Sequence, residues 1–222
     1  HFRHLACQSK RGVMLRDLHT LNGSSVTATD GKIGAVRDFL FDDESWTVRY
    51  LVVDVGNLLK RRDVVLATAA VQQLDWTSRT LRVNFTREQV RHSPDVDTEQ
   101  PVSRQQEIAM RDYFGWFAYW VDEQVYGALR SMPVGVQYPT RRKADSHLRS
   151  AWYLRGYTVS SGRSEIGHLE SYIMDEASWH VGYLDVKAGD WLQSRSLLVP
   201  TDCVESISWP HHRIALSPSR RI

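Results

Sequence analysis

The chain is short of cysteine, net charge and long apolar runs, and each shortage removes a class of protein. Two cysteines, Cys7 and Cys203, cannot build a disulfide framework, so a reducing cytoplasm is the expected compartment. A formal net charge of +2 argues against nucleic acid as the partner, because such binding neutralises many phosphates. No stretch approaches the ~18 apolar residues of a membrane helix. The richest, "VVLATAAV" at Val64 to Val71, is strand-sized, which excludes a transmembrane segment but leaves room for peripheral attachment to a membrane. The leading "HFRHLACQSKRGV" is interrupted by charges and has no apolar centre, so it does not read as a signal peptide. Residues 1–13 are expected to lie outside the fold. G-x-S-x-G, P-loop and dinucleotide fingerprints are missing. The expectation is therefore a non-enzyme that needs no cofactor.

What the chain does contain is one hairpin written twice. "DFLFDDESWTVRYLVVDVG", Asp38 to Gly56, reads as two strands around an acidic turn, and "SYIMDEASWHVGYLDVKAG", Ser171 to Gly189, has the same layout. A shift of 133 residues aligns them and carries the match well beyond. Leu15, Arg16, Leu21, Gly23 and Val26 fall on Leu148, Arg149, Leu154, Gly156 and Val159. Leu59, Arg62, Val71 and Trp76 return as Leu192, Arg195, Val204 and Trp209. A period this long means two domains of one fold, since solenoid repeats run only ~20–50 residues.

Each copy reads as strands. Val36 to Phe41 and Thr47 to Val55 are rich in β-branched and aromatic residues, and "DDES" between them suits a turn. Val64 to Thr68 and Thr80 to Phe85 add further strands. Short strands with regular turns suggest a small barrel, which removes exposed sheet edges. Leu51 and Val53 share one strand face, and their counterparts Leu184 and Val186 are also apolar, so that face should be the core. On the other face Val52 becomes Asp185, so that side should be open to solvent or to a contact in at least one copy. Strand parity places Trp46, Tyr50, Trp179 and Tyr183 on that same side.

After Phe85 the pattern changes. "TREQ", Thr86 to Gln89, and "SRQQ", Ser103 to Gln106, both fit a capping box at a helix start. "YFGWFAYW", Tyr113 to Trp120, is too aromatic for a solvated linker. The organisation expected is a first barrel at 14–85, a helical and aromatic linker at 86–146, and a second barrel at 147–222. The barrels should pack on each other about a pseudo-two-fold axis, with the aromatic run docked on barrel surface.

Gly-x-Ile-Gly, Asp-Phe-Leu-x-Asp, Ser-Trp-x-Val-x-Tyr-Leu-Val-Val-Asp, "TREQVRHSP" and "PVSRQQE" occur here in that order. Together they resemble the bacterial PRC-barrel family, named for the cytoplasmic domain of the photosynthetic reaction-centre H subunit. The resemblance covers Met14 to about Trp120 and returns over His147 to about Leu216. It implies a small all-β barrel and a binding or scaffolding role, because H subunits cap a membrane complex. A related barrel in a ribosome maturation factor binds a ribosomal protein. The chain is expected to differ from the H subunit in carrying two barrels and lacking the N-terminal membrane helix.

Candidate chemistry is sparse. Asp42, Asp43 and Glu44 could hold a metal, but Glu44 aligns with Ala177, so a turn is the simpler reading. His1, His4 and Cys7 have metal-like spacing within the expected extension, and no native metal site is assigned. His211 and His212 align with Ser78 and Arg79 and read as exposed turn residues. "LKRRD" and "TRRKAD" are basic patches that would serve an alternative role as an RNA- or ribosome-associated factor. The expected function is a protein-interaction or scaffold module with an unidentified protein partner. Its candidate surface is Trp46, Tyr50, Trp179, Tyr183, Trp116 and Trp120.

Overall fold

A computed structural model describes residues 14–56, 62–93, 113–114, 148–189 and 195–217. The first half supplies β1 (Leu15–Asp17), β2 (Ser25–Ala28), β3 (Gly31–Asp42), β4 (Thr47–Asp54), β5 (Asp63–Ala67), β6 (Val71–Asp75), β7 (Thr80–Val83) and helix α1 (Arg87–Arg91). The second supplies β8 (Leu148–Ser150), helix α2 (Ala151–Leu154), β9 (Thr158–Ser161), β10 (Ser164–Asp175), β11 (Val181–Ala188), β12 (Arg195–Pro200), β13 (Val204–Ser208) and β14 (Arg213–Leu216). Two seven-stranded sheets result, ordered β5-β4-β3-β2-β7-β6 and β12-β11-β10-β9-β14-β13. The fold is mainly β, and the orders match strand for strand.

Each sheet bends because its long strand carries bulges at matching places. In β3 the register slips between Val36 and Asp38 and between Leu40 and Phe41. In β10 it slips between Leu169 and Ser171 and between Ile173 and Met174. An extra residue kinks a strand and raises its twist, so a twelve-residue strand can wrap a core. Gly34 and Gly167 serve the same wrap. A Cβ on Gly34 would lie 1.9 Å from the Asp54 carbonyl oxygen, and one on Gly167 2.2 Å from that of Lys187. Only glycine admits so close a backbone approach.

The acidic turn is built by its first residue. Asp42 Oδ1 accepts the amides of Glu44 and Ser45 at 3.0 Å, and the chain then enters the left-handed region at Trp46, with φ of 51°. In the second copy Asp175 accepts the Ala177 amide and the Ser178 hydroxyl, and Trp179 has φ of 59°.

The two sheets exchange strands. β1 does not join its own sheet but pairs with β10, placing Leu15 opposite Asp175. β8 pairs with β3, placing Leu148 opposite Asp42. These pairings are equivalent under the 133-residue shift, so each barrel lends its first strand to the other about a pseudo-two-fold axis. The hairpins meet on the same axis. The Val181 amide donates to the Trp46 carbonyl at 2.7 Å, and the Val48 amide to the Trp179 carbonyl at 2.9 Å. Ion pairs close both lent strands, Arg16 with Glu176 at 3.1 Å and Arg149 with Asp43 at 2.6 Å. One hydrophobic core runs through both halves, and Phe41 packs on Tyr172 across the junction at 5.5 Å between ring centroids.

Two expectations about faces change. Trp46 leaves the side assigned by strand parity, because a residue with positive φ interrupts the alternation. Its ring joins the main core and stacks on Phe41 at 5.3 Å. The Val52 side of β4 is also not open. Val52 is fully buried, in a second cluster with Leu40, Tyr50, Val65, Ala67 and Leu148. In β11 the same side is partly exposed, and Asp185 there accepts a hydrogen bond from Ser196.

Candidate interaction surface

The residues singled out from sequence scatter. Trp46 and Tyr50 are buried, and Trp179 and Tyr183 are half-buried. Trp46 and Trp179 contribute backbone carbonyls to the barrel junction, as described above. Trp116 and Trp120 lie outside the described residues. Of their aromatic run, Tyr113 and Phe114 are described, and both dock on the first barrel. The Tyr113 hydroxyl donates to the Gln89 carbonyl at 3.0 Å, and Phe114 packs on Phe85 at 4.9 Å. The helix beneath them carries the expected capping box between Thr86 and Gln89. Ser103 to Gln106 lies outside the described residues.

Sequence reasoning missed a surface on the second barrel. Helix α2 starts on Ser150, whose hydroxyl accepts the Tyr153 amide. It buries Ala151 and Leu154 and so turns its remaining pair, Trp152 and Tyr153, outward. Their exposures are 57% and 41%, unusual for large rings. Tyr153 lies nearly parallel to Trp209 at 4.3 Å between centroids. Tyr157 stacks on His212 at 4.9 Å and meets Trp209 edge-on at 6.3 Å. At the other end the Arg155 guanidinium covers Trp152 at 5.9 Å and pairs with Glu170. Burial raises the Tyr157 hydroxyl's pKa above its ordinary value, with Tyr153 adding to the effect, so it stays neutral.

Among the described residues, the first barrel shows no such surface. At the positions of Trp152, Tyr153, Tyr157 and His212 it carries His19, Thr20, Ser24 and Arg79. Trp76, the counterpart of Trp209, is covered by the Arg16 guanidinium at 5.1 Å. The signal was present in the copy comparison: small or polar residues in one repeat stand opposite rings in the other.

The remaining polar groups are structural. A cavity of about 20 Å³ at the barrel junction is lined by His19, Asp38, Trp152, Arg155, Glu170 and Tyr172, among others. It has room for a single water. Desolvation pushes the Asp38 carboxyl up to about 6, against the lowering effect of its hydrogen bonds to Ser150, Trp152 and Phe39. Asp43 is taken by Arg149. His211 and His212 are exposed, while His1, His4 and Cys7 lie outside the described residues. Among the described residues no three His, Cys, Asp or Glu side chains gather to hold a metal, and no helix is long and apolar enough to cross a membrane. The basic patches give little. Arg62 donates to the carbonyls of Arg91 and Ser93, closing the end of α1. Leu59 to Arg61 and Thr140 to Asp145 lie outside the described residues.

The described residues form two small, mainly β units of one topology, and the second displays the exposed rings. Residues 15–90 match the family model of the PRC-barrel domain, so the first barrel is a PRC-barrel domain. The second repeats its topology, although the family match stops at residue 90. No curated protein matches the chain.

Proposed function

We propose that the protein is a non-enzymatic, cytoplasmic interaction module, in which the first barrel and the junction form the scaffold and the second barrel presents the binding face. The supporting observation is the ring surface of Trp152, Tyr153 and Trp209, which one repeat has and the other lacks. Rigid aromatic side chains provide large contact area at low entropic cost, which is why they concentrate at interfaces. A protein partner fits this surface better than nucleic acid, because the described arginines beside the rings, Arg155 and Arg149, are each paired with a carboxylate, Glu170 and Asp43.

The test uses the tagged full chain against extract of its native host, comparing wild type with Trp152→Ala/Tyr153→Ala. The variant loses the Tyr153–Trp209 stack and the Arg155 contact but no buried side chain. It should therefore melt within about 5 °C of wild type and lose its captured proteins. Equal capture by both would refute the assignment. Capture that collapses between about 50 and 200 mM salt would point to phosphate contacts and an RNA-associated role.

A further inference from the structure

Where each lent strand ends, a polar contact joins the barrels. At the first junction the Ser150 hydroxyl donates to Asp38, which also accepts the Trp152 amide at 2.8 Å. At the second the Ser171 hydroxyl donates to Asp17, which also accepts the His19 amide at 2.9 Å. The shift of 133 residues converts position 17 to 150, 19 to 152 and 38 to 171. The junctions are therefore the same site, each with one carboxylate, one hydroxyl donor and one amide donor. The carboxylate, however, comes from opposite sides. In the first junction it stands on the long strand, and in the second on the lent strand. Both aspartates belong to barrel one and both serines to barrel two.

We infer that these contacts select the partner: barrel one's exchange surface accepts a serine-bearing barrel and rejects a second copy of itself. If barrel one met barrel one in this geometry, Asp17 would face Asp38 at both junctions. Two carboxylates at hydrogen-bond distance cannot both stay ionised without a penalty. It is largest at the first junction, where both positions are buried, and smaller at the second, where Asp17 is half-buried. Barrel two meeting barrel two would place Ser150 against Ser171, which carries no such penalty. The flanking ion pairs do not discriminate, since Arg16 and Arg149 are equivalent, as are Asp43 and Glu176. Selection therefore falls on the aspartate–serine sites. Excluding the barrel-one pair matters for a two-barrel chain. If like pairs formed between molecules, each chain would join others through its two barrels instead of closing on itself.

The test stays within the full chain. Ser150→Asp/Ser171→Asp gives both junctions the two carboxylates of a barrel-one pair. It should lower the melting temperature by about 10 °C or more. Asp17→Ser/Asp38→Ser, which imitates a barrel-two pair, should cost clearly less. The decisive variant is Asp38→Ser/Ser150→Asp, which rebuilds the first junction as a replica of the second. It should melt within about 3 °C of wild type, even where Ser150→Asp alone fails to fold. The inference is overturned if that exchange is no more stable than Ser150→Asp alone. It is equally overturned if the two-carboxylate variant melts like wild type.

Discussion

Barrel one and barrel two share a backbone plan but have divided the work. Barrel one is closed: the outer side of β4 is covered, and its tryptophans are packed or capped. Barrel two leaves the matching side of β11 half-open and displays rings around α2. The two copies differ at their surfaces, while the exchanged strands and the continuous core tie them together. Residues common to both copies report on the shared fold, and residues that differ report either on how the copies pair or on the surface each presents.

The largest effects should come from the shared core. Leu51→Asp and Leu184→Asp should each cost about 4 kcal/mol or more, since each buries an unpaired carboxylate. Because the core is continuous, one unfolding transition is expected in urea rather than two. Val52→Asp should be nearly as costly as Leu51→Asp, whereas the reverse change, Asp185→Val, should stay within about 1 kcal/mol of wild type. Equal effects of Val52→Asp and Asp185→Val would erase the distinction between closed and open barrels.

An intermediate effect concerns pH. The folded pKa of Asp38, about 6, lies above the usual 3.8, so the folded state holds a proton that the unfolded state releases. Asp38 therefore favours folding below about pH 4 and loses that contribution as pH rises through 6. The change is roughly 2–3 kcal/mol. Arg37 opposes the shift, and Arg155 and Glu170 line the same cavity. Asp38→Asn should remove this slope from a plot of stability against pH, and an unchanged slope would assign it to another group.

The smallest separable effect concerns the two ion pairs. Arg149 and Asp43 retain 19% and 13% side-chain exposure, against 29% and 27% for Arg16 and Glu176. Arg149→Ala should cost about 1–2 kcal/mol and Arg16→Ala less, because solvent screens the more exposed pair. Denaturant midpoints would rank them, and the reverse order would show that the junctions are loaded differently from what burial indicates.

Much of the fold could be read from the residues because the duplication acts as an internal comparison. The hairpin, the capping box at Thr86 and the glycine at 34 were visible as recurring or locally sufficient signals. The ends of β3 and β4 were less so. Trp46 follows three polar turn residues, and nothing local reveals that its φ is positive and its ring turned inward. The strand exchange was hidden for a different reason. "LRD" and "LRS" are three residues each, too short for any periodicity, and their partners lie about 160 residues away in one case and over 100 in the other. Pseudo-two-fold packing could be anticipated, but not the means by which it is secured. The ring surface is not legible from recurrence, because Tyr153 and Tyr157 stand opposite Thr20 and Ser24. For a duplicated protein, function is better sought where the copies disagree.

Strand exchange also sets the order in which the molecule can be made. Leu15 to Asp17 leave the ribosome well before their seat on β10, which ends at Asp175. At ~5–20 residues per second, β1 waits on the order of 10–30 s for its partner to emerge. During that interval barrel one also lacks β8, the strand it will borrow. The nascent first half is thus an incomplete sheet with an unfilled edge, and its closure is timed by translation of the second half. A pause between the two repeats would prolong that exposed state.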